Sequence, residues 1–424
     1  MGLAFRDTRT GRTVDLGSRR APVTMYVCGP TVYAPSHVGH GRTYLYFDLV
    51  RRYFAETGVP VLHLMNITDV EDKINVRARE LRTSPVALAR REERRFFRDL
   101  DALGVLRPTY APRASDFVGE MVRYARRLER TGRVHRLGDS WFYRPPASTL
   151  RRNFAIAQEL GRHQVREVPD APIPPLDLRE FVVWRRQLPP RPSWMSPWGP
   201  GVPGWHLECY SMAAHHLRVP VDLQGGGQDL IFPHHYAQNE IAFALTHGPF
   251  ARGFLHTGFV LRNGHKMSKS VGNLVDLGPS IERWGPDALR WYLLGTPRQR
   301  PINWDDRQVR RAREEFRRVR DTFSASMEEG AGGTVSARRV VSLACGVERA
   351  IGHELGAERA FRQMREFAEA IARTARGRIV SGERQAAGWA YRRIEALTGL
   401  DLIGPEQQQR RSSRRRAARR AVAG

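Results

Sequence analysis

VTMYVCGPTVYAPSHVGH, residues 23–40, is the stretch that decides the fold. Residues 23–29 are β-branched, aromatic and small, and they predict a buried strand that ends at a Gly-Pro pair. From Gly39 the apolar residues take the spacing of a helix packed on a sheet, and residues 60–65 predict a second strand. Strand, loop, helix and strand open a parallel α/β sheet, whose ligands bind beyond the carboxyl ends of the strands. The loop 29–40 is therefore the first candidate site.

Composition limits the class of protein. The chain has 424 residues, 41% of them hydrophobic, so it has room for two or three domains and is too apolar for a disordered chain. Lys and Arg outnumber Asp and Glu by 69 to 44, and this net charge of +25 indicates a polyanionic partner or reflects an arginine-rich genome. Three widely separated cysteines favour a reducing compartment over a disulfide framework. The sequence contains no secretory signal and no apolar run long enough to span a membrane, so we expect a cytoplasmic protein without a membrane partner.

The rest of the chain extends the sheet and then becomes helical. The pattern weakens over residues 112–203, where prolines and tryptophans crowd together, and this predicts an insertion. Strand-like runs return at residues 219–223 and 254–261, so the insertion splits the sheet. After Asp287 apolar residues recur at steps of three or four, which predicts a helical domain. The arginine-rich residues 406–424 predict a flexible tail, or a helix that forms only on a partner.

Two short motifs are suited to phosphate chemistry. His37-Val38-Gly39-His40 lies between the first strand and its helix, and Lys266-Met267-Ser268-Lys269-Ser270 follows the last strand. A helix N-terminus presents unpaired N–H groups to an anion, and imidazole and ammonium groups neutralise charge on transferring phosphate oxygens. At opposite ends of one split sheet, the two motifs indicate a clamp for a nucleoside triphosphate.

This pair of motifs resembles the two signatures of class I aminoacyl-tRNA synthetases, and the flanking residues narrow the resemblance to the cysteinyl-tRNA synthetase family. Four blocks carry it: CGPTVY at 28–33, NITDVEDK at 66–73, PGWHLEC at 203–209 and GGGQDLIFPHH at 225–235. The similarity runs from about residue 3 to residue 325 and fades beyond. It implies a Rossmann-like, parallel-sheet α/β catalytic domain split by an insertion and followed by an α-helical C-terminal domain.

Pattern and resemblance together give the predicted divisions. Residues 1–111 form the first half of the catalytic domain, 112–203 the connective insertion, 204–290 the second half with the lysine loop, 291–330 a stem-contact-like segment, 331–405 the helical domain and 406–424 the tail. We assign Cys345 to the core of the helical domain. In the family a small anticodon-reading domain follows the helical domain, whereas little except the tail follows Leu402 here, and this argues against the expectation that the chain reads an anticodon.

Cys28, Cys209 and His234 are thiolate and imidazole donors that suit Zn²⁺, and each lies in a block that matches the family. The resemblance implies one zinc ion per chain, bound to the thiolate of substrate cysteine, so that serine is excluded as a poorer donor. The family's fourth ligand is a Glu four residues after the histidine, but Gln238 stands at that position. Three possibilities stay open: Gln238 as a neutral ligand, Glu240 brought in by a local bulge, or three protein ligands with the substrate.

The resemblance also implies the remaining roles, in a reaction that first forms cysteinyl-adenylate and then transfers the cysteinyl group. The residues expected to act in catalysis are His37, His40, Lys266 and Lys269. Those expected to bind ATP, which carries Mg²⁺, are His37, Gly39, His40, Asp229 and Lys269. Those expected to bind substrate cysteine are Cys28, Gly29, Thr31, Thr68, Trp205, His206 and Asp229.

The acceptor of the cysteinyl group has more than one candidate. The family's acceptor is tRNA(Cys), and a basic surface with an arginine tail suits RNA phosphates. A related ligase family of mycothiol synthesis joins cysteine to a small amino-sugar and also lacks the last domain. A non-catalytic RNA-binding paralogue is the third hypothesis, and the intact lysine and histidine motifs argue against it. We expect a monomer with ATP, L-cysteine and tRNA(Cys) as its partners.

Overall fold

A computed structural model of the chain describes residues 2–17, 21–146, 179–189, 191–267, 272–327, 333–374 and 377–403. Its strands are β1 (Ala4–Arg6), β2 (Thr13–Asp15), β3 (Val23–Val27), β4 (Val61–Met65), β5 (Val134–Leu137), β6 (Ser140–Tyr143), β7 (Phe181–Arg186), β8 (Gly201–Pro203), β9 (Val221–Gly227), β10 (Ala251–Thr257), β11 (Val260–Arg262), β12 (His265–Lys266) and β13 (Ile302–Trp304). Its α-helices are α1 (Val38–Glu56), α2 (Asp72–Glu80), α3 (Pro85–Ala102), α4 (Val118–Glu129), α5 (Trp205–His216), α6 (Tyr236–Thr246), α7 (Leu277–Trp284), α8 (Pro286–Leu294), α9 (Asp306–Ser326), α10 (Ala337–Gly352), α11 (Ala357–Ala372) and α12 (Arg384–Thr398).

The central sheet has the order β10-β9-β3-β4, and all its pairs are parallel. Strand β3 is buried because Val23, Met25 and Val27 are fully covered, as expected for a strand with helices on both faces. Its neighbours β4 and β9 come from either side of the predicted insertion, so the split parallel sheet agrees with the sequence prediction. The domain boundaries themselves stay predictions.

Helix α1 begins where the histidine motif requires it to begin. His37 has extended backbone (φ −108°, ψ 169°) and caps the helix by accepting a hydrogen bond from the Gly39 N–H, while His40 Nδ1 accepts one from the His37 N–H. This reciprocal arrangement is a capping box with histidines in place of the usual Ser and Glu. The motif is thereby fixed at the edge of the sheet where β3 ends.

The insertion contains helix α4 and the antiparallel sheet β5-β6-β7-β8. Trp184 on β7 is fully buried, and its ring lies 6.1 Å from that of the partly buried Trp198, so the proline-rich segment packs against the core of the insertion. Gly204 lies directly before helix α5, beside the central sheet. Only glycine fits at this position, because a Cβ would lie 1.8 Å from the Val182 carbonyl oxygen. The insertion thus delivers α5 to the site.

The C-terminal half is helical, as predicted, and an aromatic contact holds two of its helices together. The Trp291 and Phe361 rings stack at 4.3 Å, which joins α8 to α11. The assignment of Cys345 to the core is wrong: this thiol is exposed, because α10 turns its neighbours Ala344 and Val347 inward instead. The arginine tail, residues 406–424, lies outside the described residues.

A buried ion cluster holds the two halves together at the carboxyl-terminal part of α1. The Asp48 carboxylate lies 2.7 Å from both Arg52 and Arg290. Arg290 also donates to the Thr398 carbonyl at 3.1 Å and to the Gly104 carbonyl at 3.1 Å. Paired charges with further hydrogen bonds can be buried, whereas a lone charge cannot. In the described part of the chain, none of the helices has the length and apolar character needed to cross a membrane.

Candidate active site

The candidate site lies where strands of the central sheet end, as expected for a parallel sheet. Cys28 follows β3 directly, Asn66 follows β4, and Gln228 follows β9. His256 is the penultimate residue of β10. Helix α5 and the turn before α6 complete the enclosure from the second half of the chain.

Two thiols and one imidazole meet in this enclosure. The ligand atoms of Cys28, Cys209 and His234 all lie within 4.8 Å of one another, and all three residues are buried. In zinc sites with Zn–S distances near 2.3 Å, ligand atoms lie about 4 Å apart, so the donor set fits one ion of this kind. Burial and the nearby Cys28 raise the pKa of the Cys209 thiol in the absence of a cation, and they outweigh the hydrogen bonds with Tyr26 and Gln238, which lower it. A bound cation would reverse this effect, because thiolates are the ligating form.

Gln238 lies with this cluster. Its side-chain Nε2 is 2.8 Å from His234 Nε2 and 3.9 Å from the Cys28 sulfur, and its Oε1 accepts a hydrogen bond from Gln224. The spacing of four residues puts Gln238 one helical turn after His234. Among the described residues, Glu240 is not part of the group of donor atoms; its buried carboxylate instead acts with burial to raise the pKa of Tyr143 to about 12.

Histidines surround the donors and hold them by hydrogen bonds. His206 Nδ1 lies 2.8 Å from His234 Nδ1, which leaves Nε2 as the atom of His234 that can face a metal. His235 Nε2 lies 3.1 Å from the Cys28 sulfur, and its Nδ1 lies 2.7 Å from His256 Nε2. Burial lowers the pKa of His206 and of His256 to about 3. Burial also keeps the pKa of His234 and of His235 well below the ordinary value, so these rings are neutral at neutral pH.

The predicted amino-acid pocket adjoins the donors. The Trp205 ring stacks on His234 at 3.9 Å, and Cys209 lies four residues on, on the same face of α5. Asn66 links the loop that follows β3 to the loop that follows β4. Its Oδ1 accepts a hydrogen bond from the Gly29 N–H at 2.9 Å, and its Nδ2 donates one to the Thr68 hydroxyl at 3.0 Å. A Cβ on Gly29 would lie 1.6 Å from the Asn66 carbonyl oxygen, so only glycine fits.

Thr31 and Thr68 are brought together by the backbone. They form a parallel bridge, in which the Thr68 N–H donates to the Pro30 carbonyl and the Thr68 carbonyl accepts from the Val32 N–H. The two loops that follow β3 and β4 therefore form one rigid wall of the site.

The histidine motif lies at the mouth of this site. The rings of His37 and His40 stack at 3.9 Å, and a Cβ on Gly39 would come within 2.8 Å of the His37 ring. The bridge between His37 and Asp276 ties the motif to the segment that follows the lysine loop. The two predicted phosphate motifs are thus connected in the folded chain.

Asp229 and Lys266 form an ion pair at 3.8 Å, and both side chains are about half exposed. The Lys266 ammonium also lies 4.8 Å above the Phe259 ring. Asp229 was expected to bind ATP and cysteine and Lys266 to act in catalysis, and the structure places these two side chains in contact. Lys269 lies outside the described residues.

Sequence reasoning missed the residues that orient the donors: Tyr26, Asn66, Gln224, His235 and His256. The Tyr26 hydroxyl donates to Asn66 at 2.9 Å, and burial with the adjacent thiols Cys209 and Cys28 raises its pKa. The sequence did contain a signal for His235, because this residue follows His234 directly in the block at residues 225–235 that resembles the family. The others lie on strands or at strand ends, where polar residues among apolar ones could have been noted.

Solved structures show the class to which this fold belongs. The methionyl-tRNA synthetase of Mycobacterium tuberculosis, in complex with methionyl-adenylate, matches with a TM-score of 0.61 at 19% identity over 89% of each chain. LeuRS of Agrobacterium radiobacter K84, in a ternary complex with tRNA and LeuAMS, matches with a TM-score of 0.60 at 13% identity over 91% of this chain and 86% of that chain. The fold is that of the class I aminoacyl-tRNA synthetases, which confirms the predicted fold class.

Sequence comparison narrows the class to a family. The family model described as tRNA synthetases class I (C) catalytic domain matches residues 16–314, and the chain belongs to this family. The cysteine–tRNA ligase of Desulforamulus reducens is 41% identical over 295 residues, which are 68% of this chain and 59% of the relative. That of Thermococcus onnurineus is 37% identical over 312 residues, 72% of this chain and 64% of the relative. The resemblance inferred from the motifs is confirmed, and the chain spans about three fifths of the length of the first of these relatives.

Proposed function

We propose that this chain activates L-cysteine with ATP and transfers the cysteinyl group to tRNA(Cys), as a cysteine–tRNA ligase. The observation that carries the proposal is the buried set of Cys28, Cys209 and His234, with Gln238 beside it, next to a helix that begins with the histidine motif. Few other activities need thiol and imidazole donors for a soft metal beside a phosphate site.

The metal that suits these donors is Zn²⁺, which Cys28, Cys209, His234 and the Gln238 carbonyl oxygen would hold. When bound, it supplies an electron-pair acceptor for the thiolate of the substrate. A half-turn of the Gln238 amide exchanges its nitrogen for its oxygen at the same place, and Gln224 can satisfy either orientation as donor or acceptor. Hydrogen bonds from outside the donor set preorganise it: His206 holds the His234 ring, and His235 holds the Cys28 sulfur.

Residues around the donors orient the amino acid. The indole of Trp205 covers His234 and closes the pocket from one side. The wall formed by Gly29, Thr31 and Thr68 closes it from the other side, and its threonine hydroxyls are offered to the polar part of cysteine. The cysteine carboxylate then points toward the N-terminus of α1.

The reaction is a displacement at phosphorus. A carboxylate oxygen of cysteine forms a bond to the α-phosphorus of ATP, and the bond to pyrophosphate breaks. The imidazoles of His37 and His40, at the positive N-terminal end of α1, stabilise the charge on the triphosphate, which Mg²⁺ accompanies. Lys266 and Lys269 neutralise the leaving pyrophosphate. Lys266 must first leave Asp229, and the half-exposed pair between them is weak enough to exchange.

Cysteine-dependent exchange of pyrophosphate into ATP tests the first step. We expect exchange with cysteine and none with serine, and a loss of about 100-fold in His40→Ala. His215→Ala is the matched control, because His215 is exposed on α5 and touches Phe117 instead of the site. Exchange that does not depend on cysteine, or that His40→Ala leaves unchanged, would refute the proposed activation.

The acceptor is tested separately. Transfer of labelled cysteine to tRNA(Cys) is the expected result, and transfer to an amino-sugar in its place would assign the chain to the small-acceptor ligases. If exchange occurs and neither acceptor is used, the second half of the proposal is wrong and the first half stands.

A further inference from the structure

A second cavity lies beside the histidine motif, outside the thiol pocket. It has a volume of about 640 Å³, in the range of ligand sites. One wall is formed by Tyr33, Ala34 and Pro35, which lead directly to the motif, and another by Gly278 and Pro279 at the start of α7. Helix α3 forms the remaining side. The cavity therefore opens next to the site where ATP is proposed to react.

Positive charge lines this cavity from α3. Arg91, Arg95 and Arg98 all face it, with Arg77 from α2. Arg91 is paired with Glu92 at 2.8 Å and Arg77 with Glu80 at 2.7 Å. Within the described part of the chain, Arg95 and Arg98 form no ion pair closer than 4 Å and attract the Asp99 carboxylate only over a longer distance, so their guanidinium groups can still contact a ligand. Two guanidinium groups at a cavity rim suit phosphate groups.

Buried carboxylates lie deeper in the same cavity. Glu92 and Asp99 both line it, with only 4% and 7% of their surface exposed. Glu92 Oε2 and Asp99 Oδ2 have no hydrogen-bond partner among the described residues. A buried carboxylate oxygen without a donor costs free energy, so these atoms are suited to a ligand that brings N–H groups. Phosphate and N–H donors occur together in a nucleotide whose base carries an amino group.

We infer that this cavity binds a nucleotide of single-stranded RNA with an amino-bearing base, cytosine or adenine. Arg95 and Arg98 hold the phosphates, the partly exposed Tyr33 offers a ring for stacking, and Glu92 and Asp99 accept from the exocyclic amine. Uracil presents carbonyl oxygens at the corresponding edge and is disfavoured there. The inference rests on the proposed function in one respect: the strand is the end of the RNA acceptor, which this cavity guides past the histidine motif.

Fluorescence anisotropy with labelled octamers of cytidine and of uridine tests the inference, without ATP or cysteine. We expect the wild-type chain to bind the cytidine octamer at least fivefold more tightly than the uridine octamer. In Glu92→Gln/Asp99→Asn the preference falls below twofold, because amides present a donor where the carboxylate only accepted. Glu92→Gln alone is the second variant, and it reduces the preference if the double variant does not fold.

The arginines are tested against a pair with the same charge. In Arg95→Gln/Arg98→Gln both octamers bind about tenfold more weakly, and the slope of log affinity against log salt falls by about 1.4, or 0.7 for each lost phosphate contact. Arg310→Gln/Arg311→Gln is the control, because these arginines are exposed on α9, far from the cavity lining.

Equal losses in the two arginine pairs, an absent preference for cytidine, or a preference that survives in Glu92→Gln would each overturn the inference. These outcomes leave the pyrophosphate exchange untouched. Conversely, a failure of exchange alone would refute the proposed function and leave the nucleotide site standing.

Discussion

Two buried polar clusters in this protein differ in whether the chain completes them. Around Asp48 the carboxylate meets Arg52 and Arg290 at 2.7 Å, and backbone carbonyls accept from the remaining guanidinium N–H groups. Around Cys28 the groups are thiols, neutral imidazoles and amides, with no cation among them. In the first cluster the charges are paired within the chain, and the cluster connects the two halves of the molecule. The second consists of donor atoms of the kind that can hold a metal ion, and this difference separates a structural network from a candidate functional one.

The largest effect is expected where the structural cluster is broken. Asp48→Asn removes the only carboxylate beside Arg290 that the described residues provide within ion-pair distance, and it leaves that guanidinium charged and buried. We expect the free energy of unfolding to fall by about 3–5 kcal/mol, measured by urea denaturation. Asp321→Asn, at an exposed pair with Arg320, is the control and should cost less than about 1 kcal/mol. Equal stability of Asp48→Asn and wild type would contradict the assignment.

The same cluster gives stability a defined pH dependence. Burial alone would raise the pKa of Asp48, but Arg52 and Arg290 outweigh it and hold the pKa below its ordinary value. The unfolded chain then takes up the proton at a higher pH than the folded chain does. The contribution of Asp48 is therefore complete above about pH 4 and is lost as the pH falls through the lower folded pKa. Urea denaturation between pH 6 and pH 2.5 should show this loss in the wild type, and Asp48→Asn should lack it.

Breaking the second cluster should change metal binding far more than folding. Cys209→Ser removes a soft donor, and we expect Co²⁺ to bind at least about 100-fold more weakly, because partners outside the ligand set already cost 10–100-fold. Titration with Co²⁺, followed by the thiolate absorption bands, measures this. Cys345→Ser changes the exposed thiol and should bind as the wild type does. If both variants bind Co²⁺ equally, the buried cysteines are structural only.

A smaller effect on metal affinity is expected at Gln238, and it tests which residue is the fourth ligand. Gln238→Glu adds a negative charge beside His234, and we expect Co²⁺ and Zn²⁺ to be held about tenfold more tightly, or 1.4 kcal/mol. Glu240→Gln is the matched control, since that carboxylate lies outside the donor group and its loss should leave metal content unchanged. A fall in metal content in Glu240→Gln alone would reverse the assignment.

The smallest effect on folding is expected at the mouth of the site. Lys266 and Asp229 are about half exposed, so Lys266→Ala should change the free energy of unfolding by less than about 1 kcal/mol. Cysteine-dependent exchange should nevertheless slow, with the KM for cysteine unchanged, because the lysine is proposed to act on pyrophosphate. A rise in this KM with an unchanged rate would move Lys266 from the phosphate end of the site to the amino-acid end.

Sequence patterns predicted the parts of this molecule that local chemistry determines. The β-branched run at residues 23–29 predicted strand β3, and the His37 motif predicted the start of α1, because a strand and a helix cap depend on neighbours in sequence. The family followed from the same blocks. The exposed Cys345 was misassigned because two adjacent apolar residues do not settle which face of a helix turns inward.

The contacts that orient the site were beyond reach for a different reason. His235 contacts Cys28, which lies more than 200 positions away in sequence, and His256 on strand β10 forms a hydrogen bond with His235. Such pairs depend on how the sheet assembles, which no spacing along the chain encodes. For the fourth metal ligand, the sequence did not distinguish the three possibilities. The structure places the Gln238 side chain beside His234, whereas Glu240 lies outside the group of donor atoms. Metal content will decide whether that placement is used.

The order of strands in the central sheet also bears on how the chain is made. Strand β3 lies between β4 and β9, and about 190 residues separate its end from the start of β9. At translation rates of about 5–20 residues per second, one edge of β3 waits roughly 10–40 seconds for its partner. An apolar edge left open during synthesis invites pairing with other nascent chains. We therefore expect that the yield of soluble product depends on chaperone supply and falls when ribosomes stall inside the insertion.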